Sequence, residues 1–571
     1  MIPQRPLIWS LVPALIVLGA MAVGLDRSAG YHSDTVDEST YIAASVRLWR
    51  KGRDTLNGEQ PPLSKWLMGD LLSMVESDVR NGQSNGWTDG LWGHPPERMM
   101  RNLRTVRWVS IGWILASGLL LFLFLRKRFG EGPALLALVF AASSPLLFAH
   151  GSLATMEAGA TFTTTVLFIA CFRWAEAPNL FRSLQVLLAA LIATLAKMSA
   201  FLLIPPGLVG LGMVCFWRSR RNKPWRKELT TLLALLILAG PLGLWAAYGF
   251  ERTTIPASAF SRGEHRDLAV VFGGPNRIVS FLGKEGKITV PAYDFLSGLG
   301  FQIDHSRGGH NNFMDGKVGF DGWPDFFLRS MLYETPLPNL ALAFLAIMLA
   351  LSRPKTHLRE WTFLVAPLGL FIYLSFVTKA QAGLKYMMPV LMLWIGFLAT
   401  VLGRWWQERD PHRPDFRGAV LLGLLTLSLG DVHRHHPHYL MYFNQIAGGP
   451  MEGDQHLIHG KDWGQGQRQL AQWQRRNGVF RLWYAKYHGN PSAWGIRSMK
   501  PPCRPVLGWV AAHVSEIHRP EWHPPVGCLH WLKALKPVGH FGFGLRLWHV
   551  SRADYRALEQ KEDGQWIRSV P

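Results

Sequence analysis

The chain has 571 residues, of which 49% are hydrophobic and only 17% charged, with 25 tryptophans. A soluble domain carries nearer a quarter charged residues, so composition excludes one ordinary soluble domain and points to several membrane spans plus a water-exposed part. The formal net charge of +21 would fit nucleic acid, but much of the basic charge clusters between apolar runs and no nucleic-acid-binding module is visible.

Arg5 precedes an apolar run over residues 6–25. That run is long for the core of a cleaved signal peptide and close to the ~20 residues needed to span. It reads as a retained first helix with the N-terminus inside. The following loop, residues 26–104, then lies outside. It opens with the adjacent acids Asp37-Glu38, continues through Tyr41, and reaches Asn57-Gly58-Glu59 and Pro61-Pro62-Leu63. Carboxylates this close to a bilayer are costly unless they do chemistry or pair with cations. The bland alternative is a solvated helix N-terminus, where acids are favoured.

Further apolar runs cover residues 106–125, 133–150, 158–172, 183–196, 200–217, 229–250, 336–351, 361–377, 387–402 and 418–429. With the first, they predict about eleven spans. Lys197 and Pro205-Pro206 break the stretch 183–217, and it is read as two helices. With the N-terminus inside, the loops 126–128, 218–227, 353–359 and 404–417 all fall inside, and all four are basic, as the positive-inside rule requires. The same parity puts Asp37, Glu157, Lys197, the long loop 251–329 and everything after Asp431 outside. The predicted class is therefore mainly α, a polytopic membrane domain over 1–431. A C-terminal soluble α/β domain over 432–571 follows, with strand-like runs at 479–484, 506–510 and 543–550.

Glu157 stands at the outer end of one predicted span, Lys197 at another, and Lys385-Tyr386 opens a third. Acids and cations thus gather on one face. That set suits group transfer from a lipid phosphate. A carboxylate takes the proton of an attacking hydroxyl, and cations stabilise charge growing on the leaving phosphate.

Four cysteines are present. Cys171 and Cys215 lie in apolar runs. Cys503 and Cys528 are candidates for a disulfide if the tail faces an oxidising compartment. No CxxC pair suggests zinc. His305 and His310 near Asp304 and Asp315 are candidates for binding a metal or the acceptor, but their spacing fits no standard ligand pattern, and a solvated flexible loop is the preferred reading. The cluster His433, His435, His436 and His438 reads equally well as interfacial. Asp462-Trp463-Gly464-Gln465 is a candidate acceptor contact, with a turn packing Trp463 into the tail as the safer reading.

Several segments in order resemble the GT-C glycosyltransferases of the protein O-mannosyltransferase and aminoarabinose-transferase kind (bacterial family 39/83-like). The first loop, Asp37-Glu38 to Tyr41 and then Asn57 to Leu63, is similar to the family's first outer loop. Residues 144–157 resemble its second acidic loop, Ala196-Lys197 its lysine position, residues 319–338 the entry to a late helix, and residues 385–389 its RYxxP-like element. Residues 439–450 with 462–465 resemble the tail of many bacterial members.

The resemblance implies a GT-C fold in the inner (plasma) membrane with the site and tail on the outer face. It also implies a polyprenyl-phosphate-linked sugar donor and a hexosyl-type transfer that inverts the anomeric carbon. Asp37 would be the base, Glu38 and Glu157 would shape and charge the site, and Tyr41, Pro62, Lys197, Lys385 and Tyr386 would contact substrate. Besides membrane lipids, the partner is an acceptor glycan, lipid or protein. The resemblance fixes no cofactor and leaves a divalent cation open. Three departures stand out. Glu157 replaces an Asp, Glu334 occupies a position that often holds Lys, and Lys385 replaces an Arg, losing bidentate phosphate geometry. The alternatives are a non-catalytic transporter or flippase of lipid-linked sugars, which would place its ionisable groups near the midplane, and a lipid-linked oligosaccharide ligase.

Overall fold

The computed structural model of the chain describes residues 7–52, 56–80, 94–203, 207, 226–283, 285–408, 415–518 and 528–560. Most of the predicted span 200–217 and of the basic loop 218–227 lies outside these residues, as does Cys215.

The chain is a mainly α-helical membrane protein. Among the described residues five helices are long and apolar enough to cross a bilayer: Trp9–Tyr31, Pro96–Phe129, Met156–Glu176, Arg226–Ala247 and Leu384–Gln407. A sixth is reached if the bent pair Glu131–Ala142 and Pro145–Gly151 is one span. This corrects the expected eleven. The run 133–150 breaks at Ser143-Ser144-Pro145, where proline cannot continue the preceding hydrogen-bond ladder, and the two pieces meet at 64°. The runs at 183–196, 336–351 and 361–377 fold into shorter apolar helices, Leu180–Ala196, Leu337–Ser352 and Glu360–Phe376. At 1.5 Å per residue such helices reach at most about 26 Å, less than a hydrocarbon core of ~30 Å.

The helix Pro96–Phe129 has 34 residues and is therefore about 51 Å long. It outreaches the apolar slab, and its first turns carry Glu97, Arg98, Arg101, Arg104 and Arg107. Its last turn holds Arg126, Lys127 and Arg128. At that end the basic loops are tied to acids of neighbouring helices: Arg128 to Glu176 at 2.5 Å, Arg404 to Glu360 at 2.6 Å and Arg353 to Glu408 at 3.2 Å. Glu157 and Lys385 stand at the opposite ends of the helices that carry Glu176 and Arg404. The bundle thus has a basic end and an acid–lysine end.

Apolar packing joins Trp9–Tyr31, Pro96–Phe129, Glu131–Ala142 and Leu384–Gln407 through residues such as Leu25, Phe122, Ala137 and Phe397. Inside it sits one polar knot. Asn339 donates to the Ser143 carbonyl at 3.0 Å and accepts from the Ser428 hydroxyl at 2.8 Å, linking three helices. Asn339→Leu is expected to lower the stability of the protein in lipid by about 1 kcal/mol. Thermal unfolding in nanodiscs checks this.

After the helix Arg417–Arg434, which runs past the expected boundary at residue 431, the tail forms a four-stranded sheet. Its order is Leu482–Ala485, Gly508–His513, Leu545–Val550, Gly539–Phe541. The first pair is parallel and the others antiparallel. Alternation places Leu482, Tyr484, Ala511, Leu545 and Leu547 against Tyr41, Met68 and Leu103 of the segment after the first helix and the helix that follows it. The tail is therefore fused to the membrane part by a shared core. Cys503 and Cys528 are joined as a disulfide.

Candidate active site

The geometry begins with the capped start of one helix. Thr35 precedes Val36–Lys51 in extended conformation, and its N–H and hydroxyl both donate to Glu38 Oε2 at 3.0 Å. An acid at the third helical position that reaches back to its own cap fixes where the helix starts. Residues 37 and 38 then point about 100° apart around the axis. Their environments differ completely.

Glu38 is fully buried. It takes a two-pronged pair from Arg107 (Nε and Nη2, both 2.7 Å) and the Ala154 N–H at 2.7 Å. Burial alone would raise its pKa, but the Arg107 charge and these hydrogen bonds outweigh it and hold the carboxyl below its ordinary value. Glu38 does not line the cavity. Its bonds lock the entry to the helix, a positioning place rather than a reacting one.

Asp37 faces a cavity of about 320 Å³. Tyr41, Glu157, Lys197, Lys385 and Tyr386 line it too. Lys385 Nζ lies 3.2 Å from Asp37 Oδ2, and Lys197 Nζ lies 2.9 Å from Glu157 Oε1. Tyr386 stands between the two lysines, its ring centroid 5.4 Å from Lys197 Nζ and 5.9 Å from Lys385 Nζ. Tyr41, one turn after Asp37, is buried. Desolvation, with the Asp37 and Glu157 charges adding, keeps its phenol protonated well beyond the usual range. Pro62 is buried at the cap of Leu63–Val75 and does not line the cavity. The neighbouring Glu59 and Gln60 do line it, held by Lys65, which donates to the Asn57 and Gln60 carbonyls at 2.7 Å.

The long loop 251–329 closes the other side. Its helix Tyr293–Gly308 contributes Phe301, Gln302, His305 and Ser306, and Gln302 bonds the Glu59 carbonyl at 3.2 Å. His305 stacks on Phe301, and His310 stands edge-on between His305 and His459. Among the described residues no group of three acid, His or Cys side chains could hold a metal.

Sequence reasoning missed two residues, Arg107 and Lys461, and expected Trp463 to pack into the tail, whereas it packs against the membrane part. Arg107 carried a signal, a charge just inside an apolar run. Lys461 did not. It reaches Glu334 at 2.5 Å, so the tail supplies a cation to an acid of the membrane part, although neither lines the cavity. Trp463 lies in the cavity wall, its ring centroid 3.9 Å from Lys385 Nζ.

The tail also grips the loop before Asp37. His32 bonds the Pro437 carbonyl at 2.9 Å, and its ring meets His438, which in turn meets Phe543 of the tail. Burial depresses both imidazoles, His32 to about 4 with Arg107 adding against the bond to Pro437, and His438 to about 3 with His32 and His540 adding. An unfolded histidine protonates near 6.5. Between that pH and about 4 the unfolded chain binds protons that the folded one excludes, so stability falls with pH. Each group contributes up to ~1.4 kcal/mol per pH unit. Thermal unfolding is expected to move down from about pH 7.5 to about pH 5, and less so in His438→Asn.

Residues 99–245 match the family model described as dolichyl-phosphate-mannose-protein mannosyltransferase. That stretch contains Arg107, Glu157 and Lys197, but neither Asp37 nor Lys385. The chain is also similar to two crystal structures of ArnT from Cupriavidus metallidurans. With the form bound to undecaprenyl phosphate it shares 12% identity, covering 95% of this chain and 98% of that one, at a TM-score of 0.44. With the apo form the identity is 12%, the coverage 93% and 97%, and the TM-score 0.41. No curated protein matches.

Proposed function

We propose that this protein transfers a sugar, of hexosyl type, from a polyprenyl-phosphate carrier to an acceptor hydroxyl at the outer face of the inner membrane. The observation that carries the reading is the pairing in one cavity of Asp37 with Lys385 and Glu157 with Lys197. A transfer with inversion needs one base and one phosphate-holding cation group. Here the two kinds of charge are already side by side at the membrane-exit ends of helices. The family match over residues 99–245 supports the same class.

In this mechanism the acceptor oxygen attacks the anomeric carbon while its proton passes to the Asp37 carboxylate. The bond from that carbon to the phosphate oxygen breaks, and its electron pair stays on the phosphate. Lys385 and Lys197 stabilise that charge as it grows, with Glu157 aiming Lys197. Tyr41 and Tyr386 supply flat apolar walls with hydroxyl edges for the sugar. The polyprenyl chain runs between helices below the cavity. The orientation follows from the basic end of the bundle, which belongs inside. That puts the cavity and the tail outside.

The test is purified protein in lipid nanodiscs offered a panel of polyprenyl-phosphate sugars. Release of free polyprenyl phosphate together with a glycosylated acceptor is the expected result. Donors carried across vesicle membranes without cleavage would replace the enzyme by a transporter.

A further inference from the structure

The tail turn holding Trp463 touches the proposed site in a way that a turn packed only for stability would not. Trp463 is almost fully buried, yet one face of its indole meets the Lys385 ammonium at 3.9 Å and lines the cavity. Its backbone is tied to the other half of the ion pair. The Trp463 carbonyl accepts the Val36 N–H at 3.0 Å, one residue before Asp37. The Gln465 carbonyl accepts the Ser33 N–H at 3.2 Å, and the Gly464 carbonyl accepts the Ser33 hydroxyl at 3.3 Å. The turn is itself braced, because Gln465 Oε1 takes the Trp463 N–H at 2.7 Å and Gln465 Nε2 donates to the Lys461 carbonyl at 3.0 Å.

A separate contact fixes the segment leading to Lys385. Gly383 has φ +97°, and a Cβ there would lie 2.8 Å from the His459 carbonyl and 3.0 Å from Gly460 Cα. The tail backbone and the strand of chain entering Lys385 are therefore in direct contact. Both partners of the Asp37–Lys385 pair are placed by the same few tail residues.

A lysine needs such placement more than an arginine does. Its ammonium is a point charge on a flexible stem, without the preorganised fork of a guanidinium. Asp37 holds it from one side, but a carboxylate also neutralises it. An aromatic face holds a cation through its quadrupole and keeps its full charge available to a phosphate.

We propose that Trp463 is a positioning residue that holds Lys385 for the donor phosphate and, through its carbonyl, sets the Asp37 loop against it. This rests on the sugar-transfer reading. The tail is then part of the donor site rather than an appendage.

The experiment is a double-mutant cycle on the full-length protein in nanodiscs with Trp463→Leu and Lys385→Met. It reads binding of a sugar-free polyprenyl phosphate and the split between KM and kcat for the sugar-bearing donor. Trp463→Leu is expected to weaken polyprenyl-phosphate binding and raise donor KM about tenfold, with kcat changed less than about threefold. Trp463→Phe, which keeps an aromatic face and most of the packing, is expected to recover at least half of that loss. In the Lys385→Met background the Trp463→Leu change is expected to cost less than about twofold. Equal losses in both backgrounds would reduce Trp463 to packing and overturn the proposal. So would Trp463→Phe binding as weakly as Trp463→Leu. Wild-type protein that binds no polyprenyl phosphate at all would instead bring down the sugar-transfer reading, and this inference with it.

Discussion

Asp37→Asn is expected to lower sugar transfer by roughly 10²–10⁴-fold, the range over which a positioned general base contributes, while leaving the fold and donor binding near wild type. The substitution keeps the shape and removes the charge and basicity. The side chain is partly open to the cavity, and among the described residues it pairs with Lys385 at 3.2 Å. Lys385 is itself buried, so removing its partner costs more than breaking a surface pair and less than stranding a fully enclosed charge, roughly 1–3 kcal/mol. Lys385 keeps the Trp463 face on its other side, so the phosphate-holding wall survives. The prediction is therefore a loss concentrated in kcat, read from polyprenyl-phosphate release at saturating donor, with a protein that still folds and melts only modestly lower. Glu157→Gln should behave differently, because it frees Lys197 from its 2.9 Å partner. Its effect should fall mainly on donor KM. Turnover unaffected by Asp37→Asn would move the base to another cavity residue.

What the sequence conveyed about this site, and what it did not, follows from how local each signal is. Asp37, Glu157, Lys197 and Lys385 stand next to apolar runs, where ionisable groups are rare, and the cavity gathers all four. Asp37 and Glu38 look alike as letters. Only the helix phase, set by the Thr35 cap, and an arginine 69 residues away on another helix separate them. Nothing local announces that partner. Trp463 reaches the site from the far end of the chain, so its relevance exists only after folding. The span count failed for a different reason. Hydropathy windows register apolar composition, whereas spanning depends on an unbroken helix of sufficient length. Ser143-Ser144-Pro145 interrupts one run, and the helices after residues 179, 336 and 359 end too early. The tail was easier, since its short alternating runs became strands Leu482–Ala485, Gly508–His513 and Leu545–Val550.

Arg107→Leu is expected to destabilise the protein by about 3–5 kcal/mol, the cost of leaving a buried charge without its partner, and to abolish activity through the fold rather than the chemistry. Arg107 lies in the helix Pro96–Phe129 with no exposed surface. Besides the two bonds to Glu38, it donates to the carbonyls of Ala29 at 2.6 Å, His32 at 2.8 Å and Ser33 at 2.9 Å. Removing it strips the acid of its counter-ion and three backbone acceptors of their donor at once. The end of the first helix, the turn through Thr35, the start of Val36–Lys51 and the turn at Ala154 all meet at this pair. Replacing both partners by Arg107→Leu with Glu38→Leu should cost less than the two single changes added together, because no unpaired charge remains. It should still fall short of wild type, since the Ala154 N–H, the Thr35 N–H and hydroxyl and the three carbonyls lose their partners. Unfolding midpoints of the two singles and the double in nanodiscs measure this coupling. Additive losses would mean that Glu38 finds compensation elsewhere, and that the loop carrying Asp37 does not depend on the pair.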